Sequence, residues 1–100
     1  MALTGAQKKY LKGLAHSLKP VVMLGQKGLT DSVLDALEEA FETHELLKVK
    51  FLDIKEKEDK KKIAQQILQN TQSDLVGEIG HTLILFRPAK KPENRKTTLP

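Results

Sequence analysis

The segment Leu24-Gly25-Gln26-Lys27-Gly28-Leu29-Thr30 has the composition of an anion-binding loop. Glycine at both ends of the G-x-x-G loop gives the backbone conformational freedom and leaves the main-chain amides open to a bulky ligand. The loop precedes a predicted helix, and helix N-termini attract anions through unpaired N–H groups and the helix dipole. Lys27 adds a full positive charge. One alternative stays open, because a short G-x-x-G can also be a turn that uses glycine for geometry alone.

The rest of the sequence offers little for catalysis or metal binding. The chain has no cysteine, which excludes disulfides, thiolate metal sites and cysteine nucleophiles. His16, His44 and His81 lie in separate segments without a second ligand at metal-binding spacing. No serine lies in a G-x-S-x-G elbow, and the loop lacks the Walker and dinucleotide-binding patterns. We therefore expect no enzyme activity, no catalytic or metal-ligating residue and no cofactor, which leaves a phosphate-holding loop like that of KH domains.

The charge is segregated along the chain. Residues 1–30 carry a net charge of +5, residues 31–59 a net charge of −6 and residues 60–100 a net charge of +5. Single-signed patches of this kind attract polyanions and steer their association, although charge runs are also typical of solvated faces. The basic ends favour a nucleic acid partner, while few aromatic residues are available for base stacking. Backbone recognition with little sequence preference is therefore expected.

The elements that must position the loop are helices on either side of a short strand. Residues 4–18 carry an apolar stripe at helical spacing, about 100° per residue, which is expected in the core: Tyr10, Leu11, Leu14 and Leu18. Basic residues recur at the same spacing on the opposite side: Lys8, Lys12, His16 and Lys19. The apolar run 21–24 is predicted to be a buried strand. Thr30 is a suitable N-cap for a second amphipathic helix that runs to about His44.

The second half of the sequence predicts a strand, a short helix and a hairpin. Residues 47–52 alternate like a strand with one partly polar face, residues 53–59 form a charged connector, and residues 60–70 have helical periodicity. Strands at 75–79 and 82–86 are separated only by Gly80 and His81, which suits a tight antiparallel hairpin. The predicted fold is a single α/β domain, α-β-α-β-α-β-β, with helices packed on a four-stranded mixed sheet.

Two expectations concern the ends of the chain and its location. After Pro88 almost no apolar residue remains, so residues 1–88 are predicted to be the folded domain and residues 89–100 a flexible basic tail. No apolar run is long enough for a membrane span or a signal peptide. We expect a cytoplasmic monomer without a membrane partner.

The segment from Leu11 to Thr30 resembles the beginning of a CRM domain, the chloroplast RNA splicing and ribosome maturation family, and residues 80–87 resemble its closing strand. The resemblance covers residues 2–88, and the stand-alone bacterial form is the most similar type. It implies a fold similar to the C-terminal domain of translation initiation factor three. It also implies RNA binding, association with ribosomal RNA in precursors of the large ribosomal subunit, and a role in ribosome assembly.

The resemblance places the RNA-binding residues in the loop and around it. The implied residues are Gly25, Gln26, Lys27, Gly28 and Thr30 of the loop segment, Lys8, Lys9, Lys12 and Lys19 of the first helix and the turn after it, and Arg87. Asp31 would repel a phosphate placed too close, so the RNA is expected to approach from the side of Lys27. An alternative from another class is a protein-binding adaptor that uses the segregated acidic and basic faces.

Overall fold

The chain folds around one mixed four-stranded sheet with helices on both faces. In a computed structural model, which describes residues 3–100, the elements follow the order predicted from the sequence, and the predicted fold class is confirmed. They are α1 (Gly5–Ala15), β1 (Val22–Leu24), α2 (Asp31–Thr43), β2 (Leu46–Phe51), α3 (Lys57–Thr71), β3 (Asp74–Ile79), β4 (Thr82–Phe86) and a short 3-10 helix at Pro92–Asn94. No helix among these residues is long and apolar enough to cross a bilayer.

The strand order β1-β2-β4-β3 gives the sheet two distinct ends. β1 and β2 are parallel, whereas β4 runs antiparallel to both β2 and β3. The G-x-x-G loop therefore leaves β1 at the same end as the turn of the β3–β4 hairpin, which we call the loop end. The start of β2, where Leu46 pairs with Phe86, lies at the opposite end, which we call the tail end.

The larger core lies between the sheet and helices α2 and α3. Residues at alternate positions of β2 and β4 point to this side, as the strand period requires. Its buried members include Leu37 and Phe41 of α2, Ile67 of α3, and Val49 and Leu85 of the sheet. These contacts hold α2, the helix that follows the G-x-x-G loop in the chain, against the sheet.

Helix α1 covers only part of the other face. Leu11 and Ala15 are fully buried there against Val76, Ile84 and Phe86.

The prediction that the whole apolar stripe of α1 forms core is wrong. Tyr10 and Leu14 are each 42% exposed, and Leu18 is 39% exposed. The buried line of α1 runs through Leu11 and Ala15, so these neighbours lie on its flank. Sequence spacing predicts an apolar stripe but not its centre, because tertiary contacts decide which part faces the sheet.

Helix α3 begins earlier than the sequence pattern predicts. The charged connector expected at residues 53–59 ends at Glu56, because Lys57, Glu58 and Asp59 already form the first turn of the helix. Acidic residues are favourable in a first turn. The side chain of Lys60 is buried, and its Nζ lies 2.6 Å from His81 Nδ1. This contact links α3 to the hairpin at the loop end.

Residues 89–100, expected to be a flexible tail, lie against the tail end of the domain. The Glu45 carboxylate is the physical reason, since it accepts hydrogen bonds from the backbone amides of Ala89, Lys96 and Thr97, each at 2.8 Å. Leu99 also packs beside the core under α1. The flexibility of the segment stays a prediction, but the structure gives it a defined docking place.

Candidate nucleic-acid interface

The G-x-x-G loop is a hydrogen-bonded turn at the loop end. The Gly28 amide donates to the Gly25 carbonyl at 3.0 Å, which places Gln26 and Lys27 at the two central positions. Both residues are exposed. Within residues 3–100 their backbone amides have no hydrogen-bond acceptor, and neither side chain is in an ion pair. The turn therefore presents two free donors and one free cation to solvent.

The two glycines of the turn serve different purposes. Gly28 has a φ of +67°, a left-handed backbone conformation that residues with a Cβ adopt only with strain. A Cβ built at Gly28 would lie 3.6 Å from Cδ1 of Ile63 in α3. Gly25 has no positive φ, and a Cβ built there would meet nothing within 4 Å. The turn needs glycine at residue 28 for its geometry. At residue 25 the fold would accept a side chain, so glycine there keeps the backbone open from outside.

The residues after the turn form the start of α2. Thr30 caps the helix, because its Oγ1 accepts a hydrogen bond from the Val33 amide at 3.3 Å. This oxygen therefore has a structural partner, although Thr30 was implied as an RNA-binding residue. Asp31 follows as the first helical residue and is exposed. Its charge stabilises the positive end of the helix and limits how closely an anion can approach from that side.

The surroundings of the turn are electrostatically asymmetric. On the side of Gln26 a hollow is lined by three acidic residues, Asp53, Glu56 and Asp59, together with two lysines. Among the described residues, Lys27 forms no ion pair with these acidic side chains or with any other. An anionic chain is repelled by the acidic side. The open approach is thus past Lys27 and toward β1.

The lysines of α1 are exposed, as the sequence predicts, and two of them lie on the flank toward β3. Measured around the helix axis from the buried Leu11, Lys8 and Lys12 lie about 60° and 100° away in one direction. Leu14 and Tyr10 lie on the other side of Leu11. The aliphatic part of Lys12 lies over Gly77 of β3, where a Cβ would clash with it. Lys9 of α1 and Lys19, which follows the helix, are also exposed.

Arg87 is not brought together with the loop. It follows β4 at the tail end, whereas the turn lies at the loop end. Its Nη1 contacts both Glu38 carboxylate oxygens and the Thr71 carbonyl, each at 3.0 Å. Its guanidinium also lies 4.5 Å from the centre of the Phe41 ring. The side chain is only 14% exposed. These contacts join Arg87 to α2 and to the end of α3 and so stabilise the fold. The position of Arg87 gives no support to the RNA-binding role that the resemblance implies for it.

The described residues form no cluster suited to metal binding. Within residues 3–100 no cluster of three or more histidine, cysteine or carboxylate side chains could hold a metal ion. His16, His44 and His81 are exposed and lie on separate elements. The polar groups that the turn itself presents to solvent are the backbone amides of Gln26 and Lys27 and the Lys27 cation.

Comparison with known proteins supplies an independent line of evidence. Residues 3–87 match the family described as the CRS1/YhbY (CRM) domain. A Haemophilus influenzae protein named RNA-binding protein is 47% identical, with 98% of this chain and 95% of that protein covered. Bacillus subtilis YqeI, named a probable RNA-binding protein, is 39% identical, with 98% and 99% covered. The solution structure of Staphylococcus aureus SAV1595 superposes with a TM-score of 0.80 at 34% identity, covering 98% of this chain and 99% of that one.

Proposed function

The chain belongs to the CRS1/YhbY (CRM) domain family, and from this membership we propose that it binds RNA and holds the RNA backbone at the Gly25–Gly28 turn. The observation that carries the proposal is the turn itself. It exposes two free amides and Lys27 next to the N-terminus of α2. Residue 25 is glycine although the fold has room for a side chain there, which leaves the backbone uncovered. Amide donors and a lysine are the groups that bind a phosphate.

The recognition is expected to be electrostatic. Lys27 and the α1 lysines have no ion-pair partner among the described residues, so their charges are available to phosphates. If four to six phosphates of single-stranded RNA are contacted, log affinity should fall against log salt with a slope of roughly −3 to −4. A slope near zero would contradict the proposal.

We also propose a cellular role from the family resemblance. The RNA is ribosomal RNA in a precursor of the large ribosomal subunit, and the protein acts in ribosome assembly in the cytoplasm without catalytic activity of its own. Sedimentation of a cell extract, with and without nuclease, tests this role. We expect the protein to migrate with large-subunit precursors and to leave those fractions after nuclease treatment. Migration that resists nuclease would favour the protein-binding adaptor instead.

Gly25→Ala is the sharpest test of the turn. Because the Cβ meets no neighbour and the φ is ordinary, this variant should retain or gain stability, by up to about 1 kcal/mol. The added methyl group covers the backbone where a phosphate would lie, so RNA affinity should fall for unrelated sequences. Gly28→Ala provides the contrast, since it strains the turn and should reduce thermal stability as well.

Lys27→Ala tests the charge at the same turn. Lys27 is exposed, so stability should change by no more than about 0.5 kcal/mol, and loss of one phosphate contact should make the salt slope shallower by about 0.7. Lys61→Ala is the matched control, because Lys61 is exposed on the flank of α3 away from Ile63. Equal RNA binding by wild-type protein and by the Gly25→Ala and Lys27→Ala variants would refute the phosphate-holding turn.

A further inference from the structure

Four residues form an uncovered row across the sheet beside the G-x-x-G loop. In the strand register Met23 pairs with Lys50, Lys50 with Thr82, and Thr82 with Ile79. Paired residues point to the same side, so the four side chains lie on the face that α1 covers only in part. Met23 is 57% exposed and Ile79 is 60% exposed. We call Met23, Lys50, Thr82 and Ile79 the open row.

The basic flank of α1 lies next to this row. A groove between them is lined by Lys12, His16 and Pro20 on one side, by Ile79 and Thr82 of the row, and by Lys48 and Ile84. No acidic residue contributes to this lining or to the row. Lys48 Nζ already donates to the Leu18 carbonyl at 3.0 Å, whereas Lys12 and Lys50 have no ion-pair partner among residues 3–100. The face combines exposed apolar side chains with available positive charge.

The open row is continuous with the turn. Met23 is separated from Gly25 only by the buried Leu24, so a chain bound at the turn passes directly onto the row. The acidic hollow beside Gln26 disfavours the opposite direction. Both observations lead an anionic chain from Lys27 toward Met23 and Lys50.

We propose, building on the RNA-binding function above, that the open row is a platform for the bases of single-stranded RNA whose backbone is held at the turn. Met23 and Ile79 contact base faces, while Lys50 and Lys12 neutralise the phosphates between them. Strand spacing places Met23 and Ile79 about 14 Å apart, with Lys50 and Thr82 between them. Proteins that bind single strands without strong sequence preference combine base stacking, most often on aromatic side chains, with a positively charged groove for the backbone. In the open row the apolar side chains of Met23 and Ile79 take the place of the aromatic ones.

A double helix fits this face less well. An A-form duplex presents phosphates and 2′-hydroxyl groups but keeps its base faces stacked inside. It would satisfy the lysines and leave Met23 and Ile79 without partners. The proposal therefore predicts a preference for single-stranded RNA that depends on these two side chains.

The test measures binding of a fluorescent oligouridine and of an RNA duplex to the full chain. Met23→Ala and Ile79→Ala should each weaken oligouridine binding by roughly fivefold, the effect expected when a half-buried apolar contact is lost. Their salt slopes should not change, and duplex binding should be unaffected. Lys50→Ala should instead make the salt slope shallower by about 0.7. Leu14→Ala and Lys61→Ala are the controls, since both residues are exposed on other surfaces.

Crosslinking gives a second readout that does not depend on affinity. Oligouridine containing 4-thiouridine should crosslink within the β1 and β3–β4 peptides that carry Met23 and Ile79. Circular dichroism of each variant checks that the fold is intact, which we expect because the altered side chains are exposed.

The outcomes separate this inference from the proposed function. If Lys27→Ala weakens binding while all open-row variants bind oligouridine like wild type, RNA binding stands and the base platform is refuted. If wild-type protein binds no RNA, both are refuted. If the open-row variants abolish self-association of the protein and leave RNA affinity unchanged, the face is an interface between two copies and the platform is again refuted.

Discussion

The two ends of the sheet carry the same kinds of charged group in opposite states. At the loop end Lys27 is exposed and lacks an ion-pair partner among the described residues. At the tail end Arg87 is enclosed by Glu38, the Thr71 carbonyl and the Phe41 ring. Sequence composition gives both residues the same charge. The difference shows that a basic residue is available to a ligand only where the fold leaves it without internal partners.

Backbone amides show the same contrast. At the tail end the amides of Ala89, Lys96 and Thr97 converge on the Glu45 carboxylate, an anion supplied by the protein itself. At the loop end the amides of Gln26 and Lys27 have no acceptor within residues 3–100. The tail end thus contains an occupied anion site made from backbone donors. The loop end offers comparable donors to an anion from outside.

The largest effect that sharpens this comparison is expected from Arg87→Ala. The variant loses a charged hydrogen bond to the Thr71 carbonyl and the contact with Phe41, which together contribute about 2 kcal/mol. The Glu38 pair adds little, because the Glu38 side chain is 45% exposed. Chemical denaturation should show the loss, whereas the salt slope of RNA binding should stay that of wild type.

Lys90→Ala is the matched control for Arg87, since Lys90 is basic, nearby in sequence and exposed. It should leave stability unchanged. If Arg87→Ala retained full stability but made the salt slope shallower by about 0.7, Arg87 would be a phosphate contact and the contrast between the two ends would fail.

A smaller effect is expected at Glu45. Burial acts to raise the pKa of this carboxyl, but the amides of Ala89, Lys96 and Thr97 outweigh it and hold the pKa below its ordinary value of 4.5. The stabilisation from the charged form is therefore complete above about pH 4.5 and is lost as the pH falls through the lowered pKa. The docked tail should detach in acid.

Glu45→Gln makes this prediction measurable. One carboxylate oxygen accepts from Ala89 and the other from Lys96 and Thr97, so a glutamine must turn its NH₂ toward a donor. At pH 7 the variant should be less stable by about 1 to 2 kcal/mol, and the difference from wild type should vanish in acid. Glu42→Gln serves as control, because Glu42 is exposed. Truncation after Pro88 should remove most of the effect of Glu45→Gln, since both changes remove the same interaction.

The sequence predicts elements well wherever local signals agree. The Thr30 cap and the apolar spacing after it predict a helix to about His44, and the structure has α2 at Asp31–Thr43. The short spacing around Gly80 predicts the β3–β4 hairpin correctly. These features depend on neighbouring residues and need no information from distant parts of the chain.

The sequence fails where the deciding partner is far away. The docking of the tail depends on Glu45, more than 40 residues earlier, which composition cannot reveal. Lys60 lies in a run of lysines that suggests a solvated face, yet it is buried beside His81. The open row was visible only as the partly polar face of β2. Its members Met23 and Ile79 are brought beside Lys50 and Thr82 by strand register, which the sequence does not specify.

The smallest effect is expected from Asp31→Asn at the loop end. Asp31 lies one residue beyond the Thr30 cap, where its negative charge stabilises the N-terminus of α2. Asparagine removes that charge and should reduce the free energy of unfolding by about 0.3 to 1 kcal/mol. The same change removes a repulsion near the turn, so RNA affinity at low salt should rise, by roughly twofold, as one screened surface charge is removed.

Asp35→Asn is the matched control for Asp31, since Asp35 lies one helical turn farther from the loop and is exposed. Its charge is beyond the first turn and should influence both quantities less. A variant that is less stable yet binds RNA more tightly cannot be explained by general damage to the fold. Such opposite changes at Asp31 would locate the phosphate close to the start of α2, whereas an unchanged affinity would mean that the RNA passes the turn only on the Lys27 side.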